Sequence, residues 1–266
     1  MQYNNPPPKS VLNMRRSKSN RMKTLVIGLA LFTCAVGAYS FKYRLDLPSE
    51  VLSSKYSTKH EVSSNKITPL VNAIQEKIGK AGTHLSDNIL TLALLGFSKL
   101  NAQERLSKDS ILTIIDYTLS SKEKRMYVID LKSKTLLFNN VVAHGRNTGE
   151  EYAKQFSNQL NSHKSSLGFF VTQTTYKGSN GYSLTLEGVD EGFNDMARKR
   201  AIVMHGAPYA SETIIKTKGY LGRSYGCPTL PPQLNEKVIK TIKEGNCLFA
   251  YYPDAKYLNE STLLNG

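Results

Sequence analysis

The chain has 266 residues, room for one large domain or two small ones, and its apolar fraction of 40% is enough to bury a core without disulfide staples. Three cysteines in that length exclude a disulfide-dense scaffold. The net charge of +14 does not mark a nucleic-acid binder: six of those charges gather in residues 1–50, and the rest are scattered with no basic block interleaved with aromatics. Attraction to anionic lipid or to carboxylate-bearing partners accounts for such a balance equally well.

Arg15-Arg16 and Arg21-Met22-Lys23 precede the uncharged run 24–41, which ends in small residues. A basic flank, an apolar stretch and a small-residue zone form an export signature. Val36-Gly37-Ala38 suits a signal peptidase, and the run also reaches the minimum length for a membrane span. A cleaved signal peptide and a retained anchor both stay open for residues 1–41, and either places the body outside the cytoplasm. No other membrane contact is expected. Residues 42–66, rich in Ser and Lys, read as a linker.

Residues 67–104 read as a short helical segment. Thr68-Pro69 opens a helix with Leu70, Ile74 and Ile78 on one face and Gly79 after them, and Ser86-Asp87 caps a second that carries Ile89, Ala93, Phe97 and Leu100. From Ile111 the period changes. The runs 111–116, 125–131, 135–138, 141–145, 168–172, 182–186, 201–204 and 247–252 are short and β-branched or apolar, which predicts antiparallel strands. The polar stretch 146–166 reads as a loop, and 211–217 and 232–243 as short helices. The expectation is a mainly β domain over 105–254 with a few short helices, followed by a disordered tail over 255–266.

Within that domain, Ala201-Ile-Val-Met-His-Gly206 ends in His205, and Leu221-Gly-Arg-Ser-Tyr-Gly-Cys-Pro228 holds Cys227 between a glycine and a proline. A thiol is mostly protonated at neutral pH, so a thiol nucleophile needs a base such as imidazole nearby, and glycine lets a carbonyl approach bare amides. Cys227 is the candidate nucleophile and His205 its base, with the amides of Gly226 and Cys227 as the expected oxyanion donors. Arg223, Ser224, Tyr225, Gly206 and His144 are expected to contact substrate. His144, in Ala143-His144-Gly145, is also the rival base. Cys247, in an apolar run, is expected to be a buried core residue, which leaves Cys227 free of a disulfide. His60, His84 and His163 lie in polar stretches and are expected to be solvated. No His, Cys, Asp and Glu cluster has metal-ligand spacing, and no cofactor is expected.

These motifs, together with Gly192-Phe-Asn-Asp195, Ala197-Arg-Lys-Arg200 and Ser165-Ser-Leu-Gly-Phe-Phe170, resemble the L,D-transpeptidases of bacterial cell-wall assembly (YkuD-like), in the branch of murein L,D-transpeptidase catalytic domain proteins. The resemblance spans roughly residues 87–254. It implies a β-sandwich or barrel catalytic domain in the periplasm or cell envelope, with peptidoglycan stem peptides as partners. In that reading Cys227 attacks the bond between diaminopimelate and a terminal D-Ala, and a neighbouring stem's amine resolves the thioester into a 3→3 cross-link. Two departures stand out. Tyr225 replaces the usual His between Ser and Gly, and Pro228-Thr229-Leu230 lacks the usual Arg after the cysteine. They leave cross-linking, stem trimming by an L,D-carboxypeptidase, wall attachment of a protein and a non-catalytic peptidoglycan-binding module as open outcomes.

Overall fold

The computed structural model describes the backbone of residues 61–265 and side chains from residue 67. The apolar run 24–41, its basic flank and residues 42–60 lie outside the described residues. Two helices open the described chain, α1 (Glu61–Lys80) and α2 (Asp87–Ala102). The helix expected to begin at Thr68 therefore extends back to Glu61, into the stretch read as a linker. Pro69 lies inside it, where a missing N–H removes one backbone bond without ending the helix. Ser86 occupies the N-cap of α2 but makes no side-chain capping bond.

Eight strands follow: β1 (Ile111–Asp116), β2 (Met126–Asp130), β3 (Thr135–Asn140), β4 (Gly168–Gly178), β5 (Gly181–Gly188), β6 (Val203–Gly206), β7 (Thr229–Leu230) and β8 (Cys247–Tyr251). They form one sheet in the order β3-β2-β1-β8-β4-β5-β6-β7. The fold is mainly β, as expected, though two pairings differ from an all-antiparallel sheet: β1 with β8 and β6 with β7 are parallel. The expected strand 141–145 is no full strand. It makes single bridges, Ala143 to Thr229 and Gly145 to Ser224, which draw the β3 end of the sheet toward β7 and curl it nearly into a barrel.

At the middle of the sheet β8 is buried without a break, as are β1 after Ile111 and the first five residues of β4, because both faces are covered there. On one face α2 packs against β1 and β8. There Phe169 stacks on Phe249 with ring centroids 4.2 Å apart, and the Phe169 ring fills the space a side chain at Gly96 would need. On the other face lies a core of Met126, Val128, Phe170, Leu184, Met204 and Leu248, closed by Val238, Ile239 and Ile242 of α4 (Pro232–Ile242). A shorter helix, α3 (Glu212–Lys218), follows β6.

The tail is ordered, against expectation. Residues after Asp254 form α5 (Ala255–Glu260) and α6 (Thr262–Asn265), and Tyr257, Leu258, Leu263 and Leu264 are buried. Asp190 explains the docking. Its carboxylate accepts from the Phe169 amide at 2.6 Å, Ser261 Oγ at 2.6 Å and Tyr257 Oη at 3.1 Å, so a buried acid is satisfied partly by the tail itself.

Candidate active site

Parallel pairing of β6 with β7 sets His205 opposite Thr229 and Gly206 opposite Leu230. Cys227 lies two residues before Thr229, at the end of a loop tied down on several sides. The Ser224 amide donates to His144 O at 2.9 Å, and the Arg146 amide donates to Ser224 O at 2.7 Å. Ser224 Oγ donates to Cys227 O at 2.7 Å and accepts from the Gly226 amide at 3.0 Å, and Ser165 Oγ donates to Gly226 O at 3.1 Å. Gly226 has φ +123°, and a Cβ there would lie 2.7 Å from Lys164 O and 2.8 Å from Ile202 Cδ1. Only glycine fits that turn.

The Cys227 thiol is free and half-buried. Its sulfur accepts from the Val203 amide at 3.5 Å and faces Ala201 O at 3.8 Å. Ala201 adopts a left-handed φ of 54°, sparsely populated for a residue with a Cβ. The strand expected to begin at Ala201 therefore starts only at Val203. Burial pushes the thiol pKa up, while the Val203 amide and the charge of Arg200 pull it down. Arg200 is pinned by Ser157 O, Ser162 Oγ, Lys164 O and Ser166 Oγ. Its guanidinium thus sits at a fixed place under the Cys227 loop, 3.4 Å from where a Gly226 Cβ would be. Sequence reasoning quoted Arg200 in a motif but assigned it no role; nothing local marks it out among Arg198, Lys199 and Arg200.

His205 is buried, with Nδ1 3.1 Å from Gly206 O and Nε2 3.4 Å from Thr229 Oγ1. A carbonyl can only accept, so Nδ1 carries the proton and Nε2 the lone pair. Burial lowers the imidazole pKa, which favours the neutral, base-competent ring. No hydrogen bond joins imidazole and thiol in this conformation: the sulfur's partners are Val203 N and Ala201 O, and the side-chain partner of the imidazole is Thr229. Its hydroxyl, 3.4 Å from Nε2, is also 3.3 Å from Cys227 O and 3.2 Å from Tyr209 Oη. The reason is the register, which places Thr229 rather than Cys227 across from His205.

His144 plays neither role foreseen for it. Its ring is buried, with Nδ1 2.8 Å from Arg125 Nη2 and Nε2 3.2 Å from Gly149 O. Guanidinium has no acceptor, so Nδ1 accepts and Nε2–H donates. Burial and the Arg125 charge push its pKa down to about 3. In this structure both ring nitrogens are engaged in bracing Arg125 and Gly149, and neither is free to act as a base. Arg125 is itself wholly buried; it donates to Val142 O and Leu119 O and lies 5.1 Å from the Tyr117 ring centroid. It keeps its charge, with a pKa lowered only to about 10.

The other expected contacts sit in different surroundings. Ser224 is buried with its hydroxyl committed inside the loop. The Gly226 amide is taken by Ser224 Oγ, so it is not free for an oxyanion. The Cys227 amide has no backbone acceptor among the described residues and remains the available donor. Arg223 Nη1 donates to Arg146 O and Gly149 O, each at 3.2 Å, holding a turn. Gly206 is half-buried, and Tyr225, at 65% exposed, faces solvent. His163, expected to be solvated, packs its ring 4.5 Å from that of Tyr225. Cys247 is free and buried in β8, its thiol pKa pushed far up by burial. Among the described residues no group of three His, Cys, Asp or Glu side chains is placed to hold a metal ion.

Residues 81–251, which contain every group just described, match the L,D-transpeptidase catalytic domain. The chain belongs to that family. No curated protein matches the sequence. Solved structures similar to this L,D-transpeptidase-family chain include an L,D-transpeptidase from Mycobacterium smegmatis, 13% identical, covering 54% of this chain and 59% of that one with a TM-score of 0.33. An L,D-transpeptidase from Stackebrandtia nassauensis is 13% identical over 67% of this chain and 76% of that one, TM-score 0.33. The helical cell shape determining protein Pgp2 from Campylobacter jejuni is 12% identical over 59% of this chain and 54% of that one, TM-score 0.36. The chain thus spans about three-fifths of the length of the mycobacterial structure. L,D-transpeptidases as a family act on peptidoglycan stem peptides.

Proposed function

We propose that this chain is a cysteine-dependent L,D-transpeptidase of the cell envelope, exported by residues 24–41. The observation that supports it most directly is a free, half-buried Cys227 whose sulfur meets a backbone amide and feels the charge of the fixed Arg200 guanidinium. Close by, His205 is neutral with its Nε2 lone pair turned to Thr229. Those groups supply a nucleophilic sulfur and a proton acceptor within a family domain.

In the proposed reaction the Cys227 sulfur attacks the carbonyl between diaminopimelate and D-Ala, and the Cys227 amide faces the developing oxyanion. The C–N bond breaks as the C–S bond of the thioester stands, and the thiol proton, held by His205, goes to the departing D-Ala amine. The amine of a second stem then attacks the thioester carbonyl, gives up a proton to His205, and releases the sulfur as the new amide forms. For the proton to pass between sulfur and imidazole, either the Thr229 hydroxyl relays it or the His205 ring turns toward Cys227 when a stem is seated.

Incubation of the purified protein with tetrapeptide muropeptides, followed by mass analysis, tests the reading. Cross-linked dimers with loss of D-Ala support it. Tripeptides alone would make the protein an L,D-carboxypeptidase, and no change with retained stem binding would make it a binding module. A Cys227→Ser variant serves as the inactive control.

A further inference from the structure

Around Cys227 one strongly basic group stands apart from the protein's own hydrogen bonding. Arg223, the residue the sequence pointed to, has its Nη1 committed to Arg146 O and Gly149 O and 3.9 Å from Glu150 Oε1. Arg200 is pinned by four oxygens beneath the loop, and Arg125 is sealed in the core. Arg146 differs: its side chain is exposed and makes no hydrogen bond or ion pair among the described residues. Its guanidinium carbon lies 5.6 Å from the centroid of the exposed Tyr225 ring, whose other neighbour is the His163 ring.

Its position relative to the sulfur is set by backbone contact. Gly145 bridges to Ser224, and a Cβ on Gly145 would lie 2.9 Å from Gly226 Cα. The residue before Arg146 therefore touches the residue before Cys227. The Arg146 amide is bonded to Ser224 O at 2.7 Å, and its carbonyl is held by Arg223. The backbone of Arg146 is fixed at both ends, and its exposed fork of donors extends from the segment that packs on the turn before Cys227.

We propose that Arg146, laid along Tyr225, binds a carboxylate of the stem peptide acylated at Cys227, with Arg223 acting as its positioning residue. This rests on the stem-peptide reading above. A guanidinium fork matches a carboxylate with two parallel bonds, which a lysine ammonium cannot do. The aromatic ring beneath restricts the fork to one plane.

The test is a cycle between protein and substrate. Wild type and R146Q are assayed on L-Ala-γ-D-Glu-diaminopimelate-D-Ala and on three analogues, each with one carboxylate converted to carboxamide; thermal melts check that the variant is folded. The expected result is that R146Q loses roughly 10- to 100-fold in kcat/KM on the parent, mostly in KM. On one analogue, wild type should show the same loss and R146Q no further loss. R146K should recover only part of the effect. Equal losses by R146Q on all four substrates would overturn the proposal. If wild type turns over none of them, the functional reading fails separately, and binding of the parent peptide to both proteins by calorimetry decides this one: R146Q must bind at least 10-fold more weakly, or the subsite does not exist.

Discussion

Thr229 and His205 face each other across parallel strands with Oγ1 3.4 Å from Nε2, and the same hydroxyl reaches the carbonyl of Cys227. The only side chain in hydrogen-bonding range of the imidazole lone pair among the described residues is therefore this threonine. Turnover of tetrapeptide muropeptides, followed by mass analysis, should slow about 3- to 10-fold in Thr229→Val and stay near wild type in Thr229→Ser, the size of one hydrogen bond. His205→Ala should slow it by about 100-fold or more. A Thr229→Val protein as fast as wild type would remove Thr229 from the proton path.

Arg200 should tune the sulfur. Burial raises the Cys227 pKa and the Arg200 charge opposes that rise, so removing the charge pushes the thiol further up. In Arg200→Met the midpoint of iodoacetamide labelling against pH should move up by about half a unit or more, with Arg200→Lys in between. Cys247, sealed in β8, should label only after denaturation. An unchanged midpoint in Arg200→Met would show that the guanidinium only stitches loops together.

His144 should act on stability rather than chemistry. The unfolded chain takes up a proton at its ordinary pKa of 6.5, whereas the native ring resists down to about 3. Between those values the unfolded state binds more protons, so this contribution is complete above pH 6.5 and is lost as the pH falls toward 3, at a cost of roughly 3–5 kcal/mol. Asp116 and Asp190 have raised pKa values and work in the opposite direction. The informative quantity is thus the difference between wild type and His144→Gln, whose amide can accept from Arg125 and donate to Gly149 without titrating. Urea unfolding from pH 7 to pH 4 should fall more steeply for wild type than for the variant.

The C-terminal helices should be part of the stable domain. Deleting the residues after Asp254 removes buried Tyr257, Leu263 and Leu264 and strips Asp190 of two of its three hydrogen-bond donors. A fall in Tm of about 10 °C or more is expected; a change of a degree or two would mean that the tail only rests on the surface.

Much of this was legible from local pattern alone. Alternating and continuous apolar runs mark the strands because burial on a pleated sheet imposes them, and a cysteine between glycine and proline after an apolar run ending in His-Gly marks the candidate site. The period of Leu234, Val238, Ile239 and Ile242 marks α4 for the same reason. What only the tertiary structure decided is which groups are spent and which remain available. His144 and His205 look alike in sequence, yet one is locked against Arg125 and the other turns a lone pair to Thr229. Arg146, Arg200 and Arg223 carry the same guanidinium, yet loops distant in sequence engage two of them and leave the third exposed. Hydrogen-bond partners and desolvation are supplied by residues tens of positions away, and no short window of sequence contains them.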